Sequence, residues 1–406
     1  MGSERKGVAT VPARTAGLAR LAALAGVVGQ YSTARNYADG LTTSRLSPYL
    51  RRRLVLEEEV LGFARTVGTF ERVEKFVQEV VWRTYWKGWL EARPPVWHAY
   101  LARLRSLDDT LPQADRDRLA RAIAGTTDLP YFNAWGEELI STGYLHNHVR
   151  MWFASVWVFT LKLPWELGAR FFLDHLLDGD PASNTLSWRW VAGLQTPGKH
   201  YLARADNIAK YTNGRWSPQP GELDESARPL PDDGLARTAA VMPALGPDAA
   251  QVRPRAVILH DEDCGPLPDD WAHVPAIRYA VAKRPQHSPS ELVATWVAGA
   301  SADADTRVQT VTPAHRPDEV MEWCQANGAV EVWACRPLTG FVAAALAALA
   351  GELAKAGVTL RYADRAHDLH FLTLATKGFF PFWEAARVPL AALHRSSQQS
   401  SQWHHQ

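Results

Sequence analysis

The segment Asp178-Gly179-Asp180-Pro181-Ala182-Ser183-Asn184 is followed by Trp188 and Trp190 and preceded by His146-Asn147-His148-Val149-Arg150-Met151. Carboxylates accept hydrogen bonds, an amide both donates and accepts them, and a guanidinium supplies a fixed charge. Together with aromatic rings that can stack, this combination suits a buried polar cofactor beside an electron path. Gly179 permits the tight turn needed to aim both acids at one ligand. A DGD sequence before proline also makes ordinary surface turns. Arg150 shifts the reading, because an unpaired guanidinium in an aromatic, apolar helix is costly to bury and Asp178 is its expected partner. A structural salt bridge would use the same two residues.

The elements that must position these groups are helical. From Thr15 to Arg215 the apolar residues recur at helical spacing, as in Glu57 to Trp89 and Pro130 to Phe159, and Trp165 to Leu177 leads as a helix into the acidic loop. Between Asn213 and Leu235 the chain becomes rich in Pro, Gly and acidic residues, which places a linker at 216–236 between a helical domain (1–215) and a second domain (237–395). In the second domain, short apolar strands are expected at 256–260, 278–282, 307–311, 330–334 and 359–362. Helices at 317–326 and 340–355 separate the last three. The βαβαβ order implies a Rossmann-like α/β domain with a mostly parallel sheet. The Ser/Gln-rich tail, 396–406, is expected to be disordered.

The chain has 406 residues, enough for two or three domains with cores of their own. Cys264, Cys324 and Cys335 are isolated thiols without CxxC spacing, which argues against a disulfide framework and against a cysteine-ligated metal site; no metal is expected. No GxGxxG or Walker loop follows any expected strand. Arg20 interrupts the short apolar run from Leu18 to Val28, and no membrane-length apolar segment follows, so a cytoplasmic protein without membrane partners is expected. Charge is asymmetric: residues 1–216 hold 28 Lys/Arg and 21 Asp/Glu, and the remainder 16 and 22, within a net +1. A surplus that modest suits a solvated helical surface; it also has the sign that draws a polyanion. Eleven of the 17 tryptophans lie in the first part, where they serve large helical packing, stacking or electron transfer.

The run Thr142-Gly143-Tyr144-Leu145-His146-Asn147-His148-Val149-Arg150-Met151, then Trp165, then Leu176 to Asn184 and Trp188-Arg189-Trp190, resembles the flavin-binding domain of the DNA photolyase and cryptochrome family. Thr43-Ser44-Arg45-Leu46-Ser47-Pro48-Tyr49-Leu50 and Glu79-Val80-Val81-Trp82-Arg83 resemble two further motifs of that family, in the same order. The likeness covers about Tyr31 to Arg215.

That resemblance implies FAD as cofactor and assigns roles. Tyr31 and Thr43, Ser44, Arg45, Leu46 and Ser47 match the residues that hold the FAD phosphates. Arg83, Arg150, Asp178, Asp180 and Asn184 match further cofactor-binding groups, with Asn184 facing the reactive ring nitrogen. Trp188 and Trp165 match the first two members of the family's electron-transfer chain. The third has no tryptophan counterpart in the shortened Arg116 to Thr127 region, and Trp97, Trp157 and Trp190 are the available substitutes. Core packing is the alternative role for all of these indoles.

Glu79, Trp82, Asn147 and Met151 match the pocket that receives a flipped cyclobutane pyrimidine dimer in repairing members. The (6-4) repair branch has histidines where Asn147 and Met151 stand, so dimer repair in DNA is the expected activity. A cryptochrome-like photoreceptor with a signalling partner is the alternative. Tyr144 stands where a tryptophan is common, His148 where an arginine is, and Trp86 where a tyrosine is. The segment Asp318 to Val388 is weakly similar to the end of the family's antenna domain, which implies a rearranged domain order, with an unrelated α/β appendage as the alternative, and leaves any antenna chromophore unassigned.

Overall fold

The computed structural model describes residues 10–38, 43–281 and 284–402, with side chains described as far as His394. The helices that frame the site are α1 (Ser47–Arg51), α2 (Glu57–Thr66), α3 (Phe70–Glu91), α4 (Pro94–Thr110), α5 (Pro130–Thr142), α6 (Asn147–Ser155), α7 (Trp165–His175) and α8 (Pro181–Ala192). Helix α3 buries Phe70, Val73, Phe76, Val77, Val80 and Val81, an i, i+3, i+4 stripe that seats it in the core. Further along the same helix it buries Lys87, and that departure from the apolar pattern marks the site.

Two expected helices are each divided. Glu57 to Trp89 breaks between Thr66 and Phe70. The stretch from Pro130 breaks at Gly143, whose φ of 66° ends α5 in the left-handed conformation that glycine accepts. The Gly143 carbonyl then accepts a hydrogen bond from Leu177 N at 2.9 Å, stitching the turn before α6 to the acidic loop. A Cβ at Gly143 would lie 2.5 Å from Leu177 Cγ. A π-helical segment, Val156–Thr160, continues α6 and supports the indole of Trp157.

The second half is a parallel five-stranded sheet in the order β3-β2-β1-β4-β5, with β1 Val257–Leu259, β2 Ala276–Tyr279, β3 Val311–Ala314, β4 Glu331–Cys335 and β5 Thr359–Ala363. Its helices are α9 (Glu291–Asp305), α10 (Pro317–Ala326) and α11 (Phe341–Lys355). The fold is therefore a helical domain joined to a Rossmann-like α/β unit. The third strand starts later than its expected position at 307–311. Arg307 instead turns back from the end of α9, bonding the Asp303 and Cys264 carbonyls. The strand's Pro313 is tolerated because β3 is an edge.

The two halves are closely joined. Phe341, Phe371, Phe379, Phe382 and Trp383 belong to the same buried core as α3 and α8. The connecting segment lies along the helical half, with Leu230 N bonded to the Ala192 carbonyl and Val241 N to the Ala92 carbonyl. The last helix, α12 (Phe379–Gln402), packs on α3 and extends into the Ser/Gln-rich segment. Residues 403–406 lie outside the described residues. Among the described residues no helix is long and apolar enough to cross a membrane.

Candidate functional site

The acidic loop sits between α7 and α8. Asp180 caps α8, its Oδ1 accepting from Ser183 N at 2.8 Å, with Pro181 at the first helical position. The pair expected from the sequence forms: Arg150 Nη2 donates to Asp178 Oδ2 at 3.0 Å, and Arg150 Nε to the Leu145 carbonyl at 2.9 Å. Asp178 Oδ1 is buried without a protein partner. Asn184 donates its amide N–H to the Ala169 carbonyl at 2.8 Å, which leaves its oxygen end for a ligand. The indole N–H of Trp188, one turn along α8, is also buried and unpartnered.

The second carboxylate of the loop is engaged by the protein. Asp180 Oδ2 lies 3.2 Å from Lys87 Nζ, 3.6 Å from Arg51 Nε and 3.8 Å from Arg83 Nη2. Burial alone would raise its pKa, but Lys87, Arg51 and Arg83 hold it far below the usual carboxylate range. Arg51 Nε also donates to the Gly179 carbonyl at 2.7 Å, so the loop is gripped through backbone and side chain alike. Lys87 and Arg51 escaped the sequence reading. An available signal was a lysine one turn beyond Arg83 on a helix this apolar.

Arg51, Arg52 and Arg53 form a buried row that meets a second row from the other half. Arg51 pairs with Glu262, Arg52 with Asp261 at 2.6 Å, and Arg53 with Asp368 and, at 3.3 Å, with Asp263. Asp261, Glu262 and Asp263 lie in the loop after β1, beside β4, where the strand order reverses, and Asp368 lies on the short helix Ala366–Phe371 after β5. His260 Nε2 bonds the Cys335 carbonyl across this gap at 2.7 Å. Open α/β sheets place ligands at such a switch point. Here arginines from the helical half fill it. Arg365, just after β5, closes the set with bonds of 2.6 and 2.7 Å to Asp263.

The expected phosphate-side residues occupy the entry to α1. Thr43 to Leu46 carry no regular structure, Leu46 N donates to Ser44 Oγ at 3.3 Å, and Ser47 starts the helix. Arg45 adopts a φ of 50° and lays its guanidinium 4.9 Å from the Tyr144 ring centre. Tyr31 opens a one-turn helix and meets Phe76 edge-on at 5.4 Å.

Trp188 packs so tightly on α7 that a Cβ on Gly168 would come within 2.3 Å of its ring. Gly168 is one turn from Trp165, whose ring lies 5.8 Å from the guanidinium of Arg189, the neighbour of Trp188. Trp165 in turn stacks on Tyr100, with centroids 5.7 Å apart. Of the proposed substitutes for a third member, Trp157 meets Trp188 edge-on at 6.2 Å, Trp97 lies 5.2 Å from Tyr100, and Trp190 stacks on Tyr201.

Glu79 and Trp82 stand one turn apart on α3, and Asn147 and Met151 one turn apart on α6; both helices pack on α8. Glu79 is bonded to Arg35 at 2.8 Å and lies 3.2 Å from Lys75. Asn147 is exposed and Met151 half-buried. The ring of Trp82 stacks on Phe379 of α12 at 3.4 Å with 4° between planes, and has Trp86 at 5.3 Å on another side.

Residues 76–214 match the model of the FAD-binding domain of DNA photolyase. Over these residues the chain is a domain of the photolyase and cryptochrome family. This photolyase-type domain binds FAD. The chain is 34% identical over 247 residues to a deoxyribodipyrimidine photo-lyase of Streptomyces griseus, a match covering 57% of this chain and 52% of that one. It is 30% identical over 194 residues to cryptochrome-1 of Arabidopsis thaliana, covering 44% of this chain and 27% of the other. The chain thus spans about half, or less, of these relatives. A bacterial class III photolyase from Agrobacterium tumefaciens overlaps it with a TM-score of 0.42 at 24% identity, over 50% of this chain and 43% of that one. The residues present fit the cofactor: the buried Asp178 Oδ1, without a protein partner, would accept from a ring N–H, and the Asn184 side-chain oxygen would offer a second acceptor.

Proposed function

We propose that this chain is a light-driven flavoprotein that splits cyclobutane pyrimidine dimers in DNA. The observation that carries the reading is the half-satisfied Asp178, clamped by Arg150 on one oxygen and free on the other, on the loop that leads to Trp188. Reduced FAD supplies the light absorption and the electron-donating chemistry when bound. The protein's part is to hold and orient it. Asp178 and Asn184 fix the ring edge, while Asp180, gripped by Lys87, Arg51 and Arg83, keeps the loop in place. Arg45 and Ser47 stand toward the phosphate side. Glu79, Trp82, Asn147 and Met151 form the dimer-facing set, with Trp82 offering a stacking face and Glu79 a carboxylate for a base edge.

The name and identity of the Streptomyces griseus relative support the same reaction. The deciding measurement is illumination of the reduced protein with dimer-containing single- and double-stranded DNA. Light-dependent loss of dimers is expected, and its absence on both substrates would refute the assignment. One observation favours a second reading, a photoreceptor that signals through a partner: the Trp82 face is already covered by Phe379. That reading expects flavin photoreduction without repair.

A further inference from the structure

We propose that Tyr100, together with His287 and Asp174, is the terminal redox site of the electron path in this chain, releasing its electron toward the flavin and its proton to His287. The inference rests on the proposed roles of Trp188 and Trp165.

Tyr100, on α4, stacks on Trp165 with centroids 5.7 Å apart and 28° between planes. Its hydroxyl is 3.2 Å from His287 Nε2, and His287 Nδ1 is 2.9 Å from Asp174 Oδ1. The same Asp174 oxygen accepts from Ser288 N at 3.2 Å. An oxygen that accepts two N–H donors belongs to a carboxylate acting as acceptor, so Nδ1 of His287 carries a ring proton; the proposed resting state is the Nδ1-protonated tautomer, in which Nε2 is the acceptor. Tyr100 is then the donor in its own hydrogen bond. The residues come from three elements: α4, the end of α7, and the segment before α9 in the second half.

The electron and proton balance follows from this geometry. Oxidised FAD, when bound and light-excited, would supply the one-electron oxidant, and the hole would pass from Trp188 to Trp165. At Trp165 the positive guanidinium of Arg189, held by Asp233 at 2.6 and 2.9 Å, works against a cationic indole. Tyr100 gives up one electron to Trp165, restoring the neutral indole, and its O–H bond breaks as the proton moves to His287 Nε2. The products are a neutral tyrosyl radical and an imidazolium facing Asp174. Burial pushes the Tyr100 phenol well above its usual pKa, so it is protonated beforehand and must shed that proton on oxidation.

The tryptophan substitutes fit less well. Trp157 is enclosed by Phe132, Phe153 and Phe171, none of which is an easy electron donor. Trp97 touches the path only through Tyr100 and has Phe341 on another side. Trp190 stacks on Tyr201 instead.

The test uses the full chain with its flavin oxidised, illuminated with blue light and frozen for electron paramagnetic resonance, with and without ring-deuterated tyrosine. A tyrosyl radical whose hyperfine pattern changes on ring deuteration, forming more slowly in D2O, is expected in the unmodified protein. It should be lost in Tyr100→Phe, which keeps the ring and removes one oxygen, and lost in His287→Gln, with the flavin absorption spectrum unchanged in both. A tryptophan radical alone in the unmodified protein, or a tyrosyl radical persisting in Tyr100→Phe, overturns the proposal; persistence in His287→Gln removes the proton-accepting role. A colourless protein overturns the flavin reading itself and this inference with it, so the two failures are told apart by the absorption spectrum.

Discussion

Arg150 holds one oxygen of Asp178 at 3.0 Å and leaves the other buried without a partner. An unpaired buried acceptor costs free energy unless a ligand satisfies it. The arrangement is therefore strained toward binding. Asp178→Ala removes the acceptor, and a hydrogen bond to a charged group contributes about 1.5–3 kcal/mol, so FAD affinity should fall roughly 10- to 150-fold. Reconstitution of apoprotein monitored by flavin fluorescence measures it. An unchanged affinity would show that the ring is held elsewhere.

The interlocked charge rows predict an acid limb. Asp180, Glu262 and Asp263 are held far below ordinary carboxylate values, and Glu57 lies at about 2; burial would raise each, but neighbouring cations, Arg51, Arg53, Lys87 and Arg365 among them, prevail. Each group's folded pKa is thus below its unfolded value of about 4, so its stabilisation is present above that pH and lost as pH falls through the folded pKa. Stability should be flat from neutrality to about pH 5 and then drop with uptake of several protons. Glu262→Gln leaves the buried Arg51 with the Gly179 carbonyl and, as its remaining paired carboxylate, only the more distant Asp180; breaking such a pair costs about 3–5 kcal/mol at neutral pH. Denaturant titrations across pH should show a lower plateau and a shallower acid limb. An acid limb identical to that of the unmodified protein would exclude Glu262 from the linkage.

Burial pushes the thiols of Cys264 and Cys324 up to about 11 and that of Cys335 up to about 12, and all three are buried. Since the thiolate is the reactive form, none should react with a thiol reagent at pH 8 in the native protein, and all three should react in denaturant. Fast labelling of any one in the native state would contradict this structure around it.

The family motifs made the acidic loop legible because their chemistry is local: Asp178, Asp180 and Asn184 lie on one loop and the start of α8, and Arg150 reaches them from α6, two helices earlier in the chain. The helices at 317–326 and 341–355 were legible for a similar reason, since each has continuous periodicity between apolar strands. What remained hidden depends on distant partners. Nothing near Arg51 names Glu262, and nothing near Tyr100 names His287. The runs Arg51-Arg52-Arg53 and Asp261-Glu262-Asp263 were visible as charge, but each alone reads as a solvated surface. Pairing across the two halves is what makes burial possible. The third strand was misplaced because Arg307 to Thr310 has β-like composition yet serves as the turn that ends α9.

The stack of Phe379 on Trp82 bears on access to the proposed dimer-facing set. At 3.4 Å and 4° the two rings share a full face, and a base can stack on that face of Trp82 only after Phe379 leaves. An aromatic pair contributes about 0.5–1.5 kcal/mol beyond its area, so releasing it should tighten binding roughly 2- to 10-fold. Phe379→Leu keeps most of the apolar volume against α3 while removing the flat face, at the packing cost of a smaller buried side chain. The variant should bind dimer-containing single-stranded DNA several-fold more tightly in a fluorescence-anisotropy titration, and Trp82→Ala should bind it more weakly. If Phe379→Leu binds no better, the covered Trp82 face is core packing rather than a docking surface, and the photoreceptor reading gains the stronger position.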